Sequence, residues 1–287
     1  MINNIAVKKN RVTPRIAILI VNYNTAESTI FMVKSANILK LLPDIIVLDN
    51  SQEANKLQNL EYDGSYKYFQ TKFNYGYYGA CAWYLEKYND TDYDWIFIAN
   101  SDIKFTDPNL FVNLTSDGLV DGIGQVGLYG PSVFSIARNI DQNPHRIKRP
   151  TISQVYKHWF FTSWYPFSYL YRFRENQSKN SHLDKTLTEK IPVEVFAVQG
   201  SFIGFHSRYF KQCHLPTETF LFWEEEIVAW QCAAVKLKVI YDPRVSLFHE
   251  EHKSFKGGYS LNKELFKIRH KSARIMLKYM NKIPISR

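Results

Sequence analysis

An α/β fold with a mostly parallel central sheet is predicted for this chain of 287 residues. Three observations predict it. Near-continuous apolar runs occur three times, segments of helical length separate them, and each run ends in polar residues. The runs are RIAILIVNYN (Arg15 to Asn24), DIIVLDN (Asp44 to Asn50) and DWIFIANSD (Asp94 to Asp102). Strands that read this way are buried on both faces, as parallel strands are when helices cover the sheet. Strand and helix alternating along a chain is the pattern of that fold class.

The elements follow in order. Residues 1–13 read as a tail. After the first run, TAESTIFMVKSANILKLL carries apolar residues at helical intervals. A second helix is expected from Ala80 to Tyr88, after the Gly-containing turn NYGYYGA. From about residue 140 to 190 the strand–helix rhythm is lost, and HWFFTSWYPFSYLYRFRE (His158 to Glu175) stands among Arg146, Lys148, Arg149 and Lys179. This segment is expected to be an insertion or lobe within one domain. VEVFAVQGSFIGFHSRYF resumes strand character, and EEEIVAWQCAAVKLK reads as a helix. KVIYDPRVSLFHEEH reads as a strand broken at Asp242-Pro243, and a basic helix is expected from about Leu261 to Met280.

Composition bounds the function. The formal charge of +9 favours an anionic partner without choosing one. A nucleic-acid binder is the reading that charge alone suggests, but no recognisable reading module accompanies it, so no nucleic acid is expected. Cys81, Cys213 and Cys232 lie far apart, with no metal-binding spacing; an odd count points to a reducing compartment. MINNIAVKKNRVTPR has no apolar core, and no run approaches the ~20 residues that span a bilayer. A cytoplasmic location is expected, with membrane contact, if any, at the inner face.

The polar strand ends are where an open α/β sheet binds ligands. They carry Asn22, Tyr23 and Asn24, then Asp49 and Asn50, then Asn100, Ser101 and Asp102. Any one of these alone reads as a turn; together they form a constellation. Asp102 either ends its strand or offers a hard divalent cation one carboxylate. His249 or His252, after the late strand, could complete such a site. In NYGYYGA, Gly76 and Gly79 stand just before a helix whose N-terminus favours a negative group. FLFWEEEIVAWQ places Glu224, Glu225 and Glu226 among Phe220, Phe222, Trp223 and Trp230. A helix start explains acidic residues there, since each interacts with the macrodipole by about 0.3–1 kcal/mol. The aromatic company suits a water-excluding site that stacks sugar rings.

In this order, VNYN, VLDNS, NYGYYGA, ANSD, VQGSFIGFHSRYF, TFLFWEEE and VIYDPRVSLFHEEHKS resemble the inverting family-2 glycosyltransferases of GT-A fold, and especially their bacterial rhamnosyltransferase-like branch. The resemblance runs from about Arg15 to Ser254. It implies a GT-A domain over 14–260, with a nucleotide-sugar half (14–132), an acceptor lobe (133–192) and an acceptor and catalytic half (193–260), before a basic helix within 261–287. It implies that Val21, Asn22, Tyr23 and Asp49 hold the base and ribose of a nucleotide-sugar, and that Asn74, Gly76 and Gly79 lie against the donor. Asn100, Ser101 and Asp102 match the family's DxD-type motif, with one of its two carboxylates kept, and Asp102 with His249 would hold Mg2+ or Mn2+. Gly200 would lie near donor sugar and acceptor, and Trp223 against the acceptor. Glu225 matches the catalytic base, with a register that could slip to Glu224 or Glu226.

The implied activity is transfer from a dTDP- or UDP-sugar, dTDP-rhamnose in the branch resembled, to a glycan or lipid-linked acceptor in bacterial surface polysaccharide synthesis. A non-enzymatic nucleotide- or glycan-binding module that keeps the fold is the alternative. The aromatic-basic stretch 158–174 reads either as core packing or as a peripheral membrane contact for a lipid-linked acceptor.

Overall fold

The computed structural model describes residues 13–51, 57, 65–88, 92–164, 190–251 and 263–282. The first three apolar runs form β1 (Ile16–Asn22), β2 (Asp44–Asp49) and, after β3 (Lys67–Gln70), β4 (Trp95–Asn100). They are joined by α1 (Ala26–Ser35) and α2 (Tyr77–Tyr88). β3, β2, β1 and β4 lie side by side, all parallel. Alternate residues of β1 face opposite ways: Ala17, Leu19 and Val21 enter one core layer, and Ile16, Ile18 and Ile20 the other. Burial on both faces is why the run is continuous rather than alternating.

Further strands follow: β5 (Ile103–Phe105), β6 (Val126–Ser135), β7 (Ile140–Asp141), β8 (Val193–Glu194), β9 (Phe202–His206) and β10 (Lys238–His249). Helices α3 (Ile152–Phe161), α4 (Ser207–Phe210), α5 (Glu224–Ala234) and α6 (Lys263–Lys282) complete the described elements. The sheet runs β3-β2-β1-β4-β9-β6-β10-β5, with β7 on β6 and β8 on β10. Along this main path most pairings are parallel; β9 is antiparallel to β4 and to β6, and β5 is antiparallel to β10. The result is a mixed α/β fold around a mostly parallel sheet, as predicted.

Three local expectations change. The strand thought broken at Asp242-Pro243 runs unbroken as β10, with a register shift against β6 between Asp242 and Ser246. Buried Asp242 anchors that bulge by accepting from Arg244 Nε and Nη2, both at 2.9 Å, so the chain bends without leaving the sheet. Helix α2 starts at Tyr77 rather than Ala80, which puts Gly79 inside its first turn. The segment expected to be an insertion from 133 begins within β6, which belongs to the central sheet. Of the stretch 158–174, residues beyond 164 lie outside the described residues, as does His252.

Candidate active site

The ends of the parallel strands form a floor. Asn22 is fully buried and is its hub. Its Nδ2 donates to Asp49 Oδ1 and to Ser51 Oγ, both at 2.9 Å. Its Oδ1 accepts from Thr25 N, Thr25 Oγ1 and Thr29 Oγ1. Asp49, also fully buried, accepts further from Ser51 N, Leu57 N and Tyr68 OH. Parallel pairing sets Asn22 beside Asp49 and Val21 beside Asn100, which brings these positions together at one end of the sheet. Tyr23 is exposed at the strand's end, and Ser101 Oγ lies 2.7 Å from Thr25 Oγ1.

Above the floor, Gly76 has a left-handed φ of +78°, and a Cβ there would stand 3.0 Å from the Phe220 ring. Exposed Asn74 stabilises this turn by accepting from Gly76 N at 2.9 Å, and Asn50 Nδ2 donates to Gly76 O. Gly79 packs in the first turn of α2, against Tyr75.

Asp102 and His249 meet although 147 positions separate them. The cause is antiparallel pairing of β5 with β10, which sets Ile103 opposite His249 while Glu250 N donates to Asp102 O. The Asp102 carboxylate lies 3.1 Å from His249 Nε2, and His249 Nδ1 lies 2.8 Å from Gln142 Oε1. Gln142 Nε2 donates to Glu251 Oε1, and Glu251 is also held by Arg138 Nε. A carboxylate at one end of Gln142 turns its amide oxygen toward His249, so Nδ1 carries the hydrogen of that bond. Nε2 then faces Asp102, where a shared proton or a cation satisfies both groups. A carboxylate and an imidazole oriented by outer hydrogen bonds fit a divalent cation with positions left open.

The three glutamates have three different fates. Glu226 is 4% exposed and accepts from Arg146 Nε at 2.7 Å, with His145 Nε2 at 3.1 Å. Burial opposes its charge, but His145 and Arg146 outweigh burial and hold its pKa down to about 2. Glu224 is 5% exposed; burial and the charge of Glu225 push its pKa up to about 8, although Thr219 Oγ1 donates to it. Glu225 alone of the three is half-buried. Burial raises its pKa first and Glu226 adds to the rise, while His145 and the N–H of Gly200 favour its charged form. Its carboxylate lies against Gly200, where any Cβ would overlap it. The three carboxylates therefore differ in environment: Glu226 is paired with Arg146 and His145, Glu224 is buried beside Thr219, and Glu225 lies against Gly200. His145, Glu225 and Glu226 offer ligand atoms within 4.8 Å of one another, but Arg146 already supplies positive charge there.

Gly200 lies between Glu225 and the end of β4. Its neighbour Ser201 accepts from Asn100 N at 2.9 Å, at the end of the β4–β9 pair. Tyr77 OH donates to Gly200 O at 2.7 Å. The Tyr77 pKa is raised chiefly by burial, then by charges that include Cys81, Glu225, Glu224 and Asp102, so this phenol lies within electrostatic reach of both sides. The hydroxyl of Ser201 is buried without a hydrogen-bond partner among the described residues. Trp223 is 8% exposed, with Arg146 over its ring at 5.5 Å and His158 edge-on, so little of it is open to an acceptor. Phe222 and Trp223 both have left-handed backbone, with φ of 70° and 66°, just before α5. Such non-glycine conformations cost about 1–3 kcal/mol each and cluster at functional sites.

Sequence reasoning missed Gln142, His145, Arg146 and Tyr77 in these roles. Tyr77 lay inside a motif already singled out. The others lie in the segment without strand–helix rhythm, where no local pattern marks them. They reach the site because Arg146 pairs with Ala197 and Gln199 N donates to Asn143 Oδ1.

No protein-family model matches the chain, and no curated protein matches it. Solved structures do. GalNAc-T7 with UDP, GalNAc and Mn2+ matches at a TM-score of 0.58 and 13% identity, over 84% of this chain and 44% of its own. The mannosyltransferase PcManGT from Pyrobaculum calidifontis, in complex with GDP-Man and Mn2+, matches at 0.54 and 13%, over 97% of this chain and 76% of its own. S. aureus TarS 1-349 matches at 0.51 and 10%, over 94% and 72%. The chain therefore spans less than half the length of the first of these. At such identities the likeness is one of fold, and the fold is that of the GT-A glycosyltransferases.

Proposed function

We propose that this chain is a glycosyltransferase that moves a sugar from a nucleotide diphosphate to a glycan or lipid-linked acceptor, with inversion at the anomeric carbon. The observation that carries the reading is Glu225: its carboxylate lies against Gly200, just before β9, which pairs with β4, and Asp102 stands two residues past the end of β4. UDP, GalNAc and Mn2+ in one structure that shares the fold, and GDP-Man and Mn2+ in another, support it.

Glu225, held by the Gly200 N–H, accepts the proton of the acceptor hydroxyl as that oxygen attacks. The new C–O bond forms as the bond to diphosphate breaks, and the electron pair leaves with the diphosphate. A single displacement inverts the centre and forms no covalent enzyme intermediate. Asp102 and His249 would hold Mg2+ or Mn2+, which supplies Lewis-acid stabilisation of the leaving diphosphate. Val21, Tyr23, Asn74, Gly76, Gly79, Asn100 and Ser101 line the donor. Asn22 and Asp49 keep the floor in shape through their hydrogen bonds. The bacterial surface-polysaccharide role and the choice of dTDP-rhamnose follow from the resemblance of the motifs.

A thermal-shift screen of dTDP-, UDP- and GDP-sugars with and without Mn2+ tests this reading. A rise in Tm is expected for one donor class, larger with Mn2+, and Asp102→Asn should remove the Mn2+-dependent part and slow transfer about 100-fold. A Tm indifferent to every nucleotide-sugar would overturn the reading.

A further inference from the structure

We infer that α3 and α6 together form a docking surface for an anionic lipid bilayer. Helix α3 carries Ile152, Tyr156 and Phe160 at successive four-residue steps. Each of the three is 50% exposed or more. Four-residue spacing stacks side chains on one face of a helix, so this is a stripe and not a scatter. The helix has a buried face of its own at Val155, and its N-terminus is closed by a capping box at Thr151 and Gln154. Neither accounts for an apolar line turned outward, and contiguous exposed apolar patches mark interaction sites.

The neighbouring helix supplies charge. On α6, Lys271, Arg274, Lys278 and Lys282 are exposed and follow one another by three, four and four residues. They too lie along one face. Lys271, Lys278 and Lys282 border a groove of about 620 Å3 with Ile275 and Tyr279, in which the one acid is Glu218. The two stripes flank a common seam. Trp159, one turn after Tyr156, touches it at 5.4 Å and stacks on His270 at 5.4 Å; Trp159 O also lies 3.0 Å from His270 Nδ1. His270 stands one helical turn before Arg274.

Aromatic and aliphatic side chains beside a row of long cations suit the headgroup region of a bilayer. The rings enter the boundary, Ile152 enters the acyl layer, and lysine stems lie flat with their charges on lipid phosphates. Each cation near an anionic surface contributes about 1 kcal/mol. The chain's net charge of +9 acts in the same direction. A two-fold contact with a second copy centred on this face would set the basic row against itself. A nucleic acid would use the cations but not Ile152 or the apolar line. Among the described residues no helix is long and apolar enough to cross a membrane, so the contact is with the surface. The inference does not depend on the chemistry proposed for Glu225 and Asp102.

Co-sedimentation tests it, using the whole chain with phosphatidylcholine vesicles and with vesicles that also contain phosphatidylglycerol. Binding is expected to the anionic vesicles only, and to weaken with salt. Lys271→Gln with Lys278→Gln should lower affinity about 25-fold. Tyr156→Ser with Phe160→Ser should lower it as strongly while leaving the salt dependence in place. Both variants change exposed residues, and an unchanged melting curve confirms that they fold. Failure of the wild-type chain to bind anionic vesicles, or unchanged binding by both variants, overturns the inference. So does light scattering that shows a dimer dissociated by these variants, or tighter binding to DNA than to vesicles.

Discussion

At the end of the parallel strands, Asn22 and Asp49 are fully buried, and chain groups fill the hydrogen bonds of both side chains. On the other side of Gly200, burial raises the pKa of Glu224 and Glu225, Phe222 and Trp223 hold left-handed backbone, and the Ser201 hydroxyl has no partner among the described residues. Both regions are polar. The first has its polar groups satisfied from within, which suits a scaffold. The second holds carboxyls whose charge burial opposes, beside strained backbone, which supports the proposed site. Side-chain chemistry alone does not distinguish the two regions; their environments do.

The sharpest break of this contrast is Glu225→Gln. Turnover should fall about 1000-fold while nucleotide-sugar affinity, measured by calorimetry, stays within a few-fold. Normal turnover in that variant would move the base elsewhere in the trio.

Next in size is a pH effect from Glu224. Its folded pKa of about 8 lies above the ordinary 4.5, so the folded state binds the extra proton. The stability this contributes is complete below 4.5 and is lost as pH rises through about 8. Over that window wild type should lose stability on the order of a few kcal/mol more than Glu224→Gln, whose melting curve is flatter there. Equal slopes would mean that Glu224 is ionised in the fold. Glu226 acts with the opposite sign: its contribution is present above 4.5 and is lost as pH falls toward about 2.

The smallest effect tests the floor. Asn22→Ala strands the polar groups around it and should lower stability by about 2 kcal/mol, read by urea denaturation. At a temperature where the variant is folded, its turnover should stay within about tenfold of wild type. A loss as deep as that of Glu225→Gln would put Asn22 in the machinery and erase the contrast.

Much of the fold was legible because burial on both faces of a strand leaves a local mark. RIAILIV, DIIVLD and WIFIAN could be read as strands without knowing their neighbours. The β10 bulge was not legible, because Asp242-Pro243 ends a strand as readily as it bends one, and the Arg244 contact that decides the matter appears only in the fold. Asp102 and His249 were each visible as strand-end residues, but nothing local joins them; the β5–β10 pairing does. Gln142, which orients His249, had no signal at all.

By itself the amino-acid order determined the alternation of strands and helices, the polar ends that gather at one edge of the sheet, and a triplet of carboxylates among aromatic residues. Apolar periodicity works over a few residues, so a short window reads it. Only the tertiary structure decided that Glu226 is neutralised by Arg146 and His145, that Glu224 is driven toward its protonated form, and that the Glu225 carboxylate lies against Gly200. Three identical side chains in a row carry no internal difference; their charges are set by groups that the fold brings from up to 81 positions away, through a medium where burial and pairing outweigh intrinsic acidity.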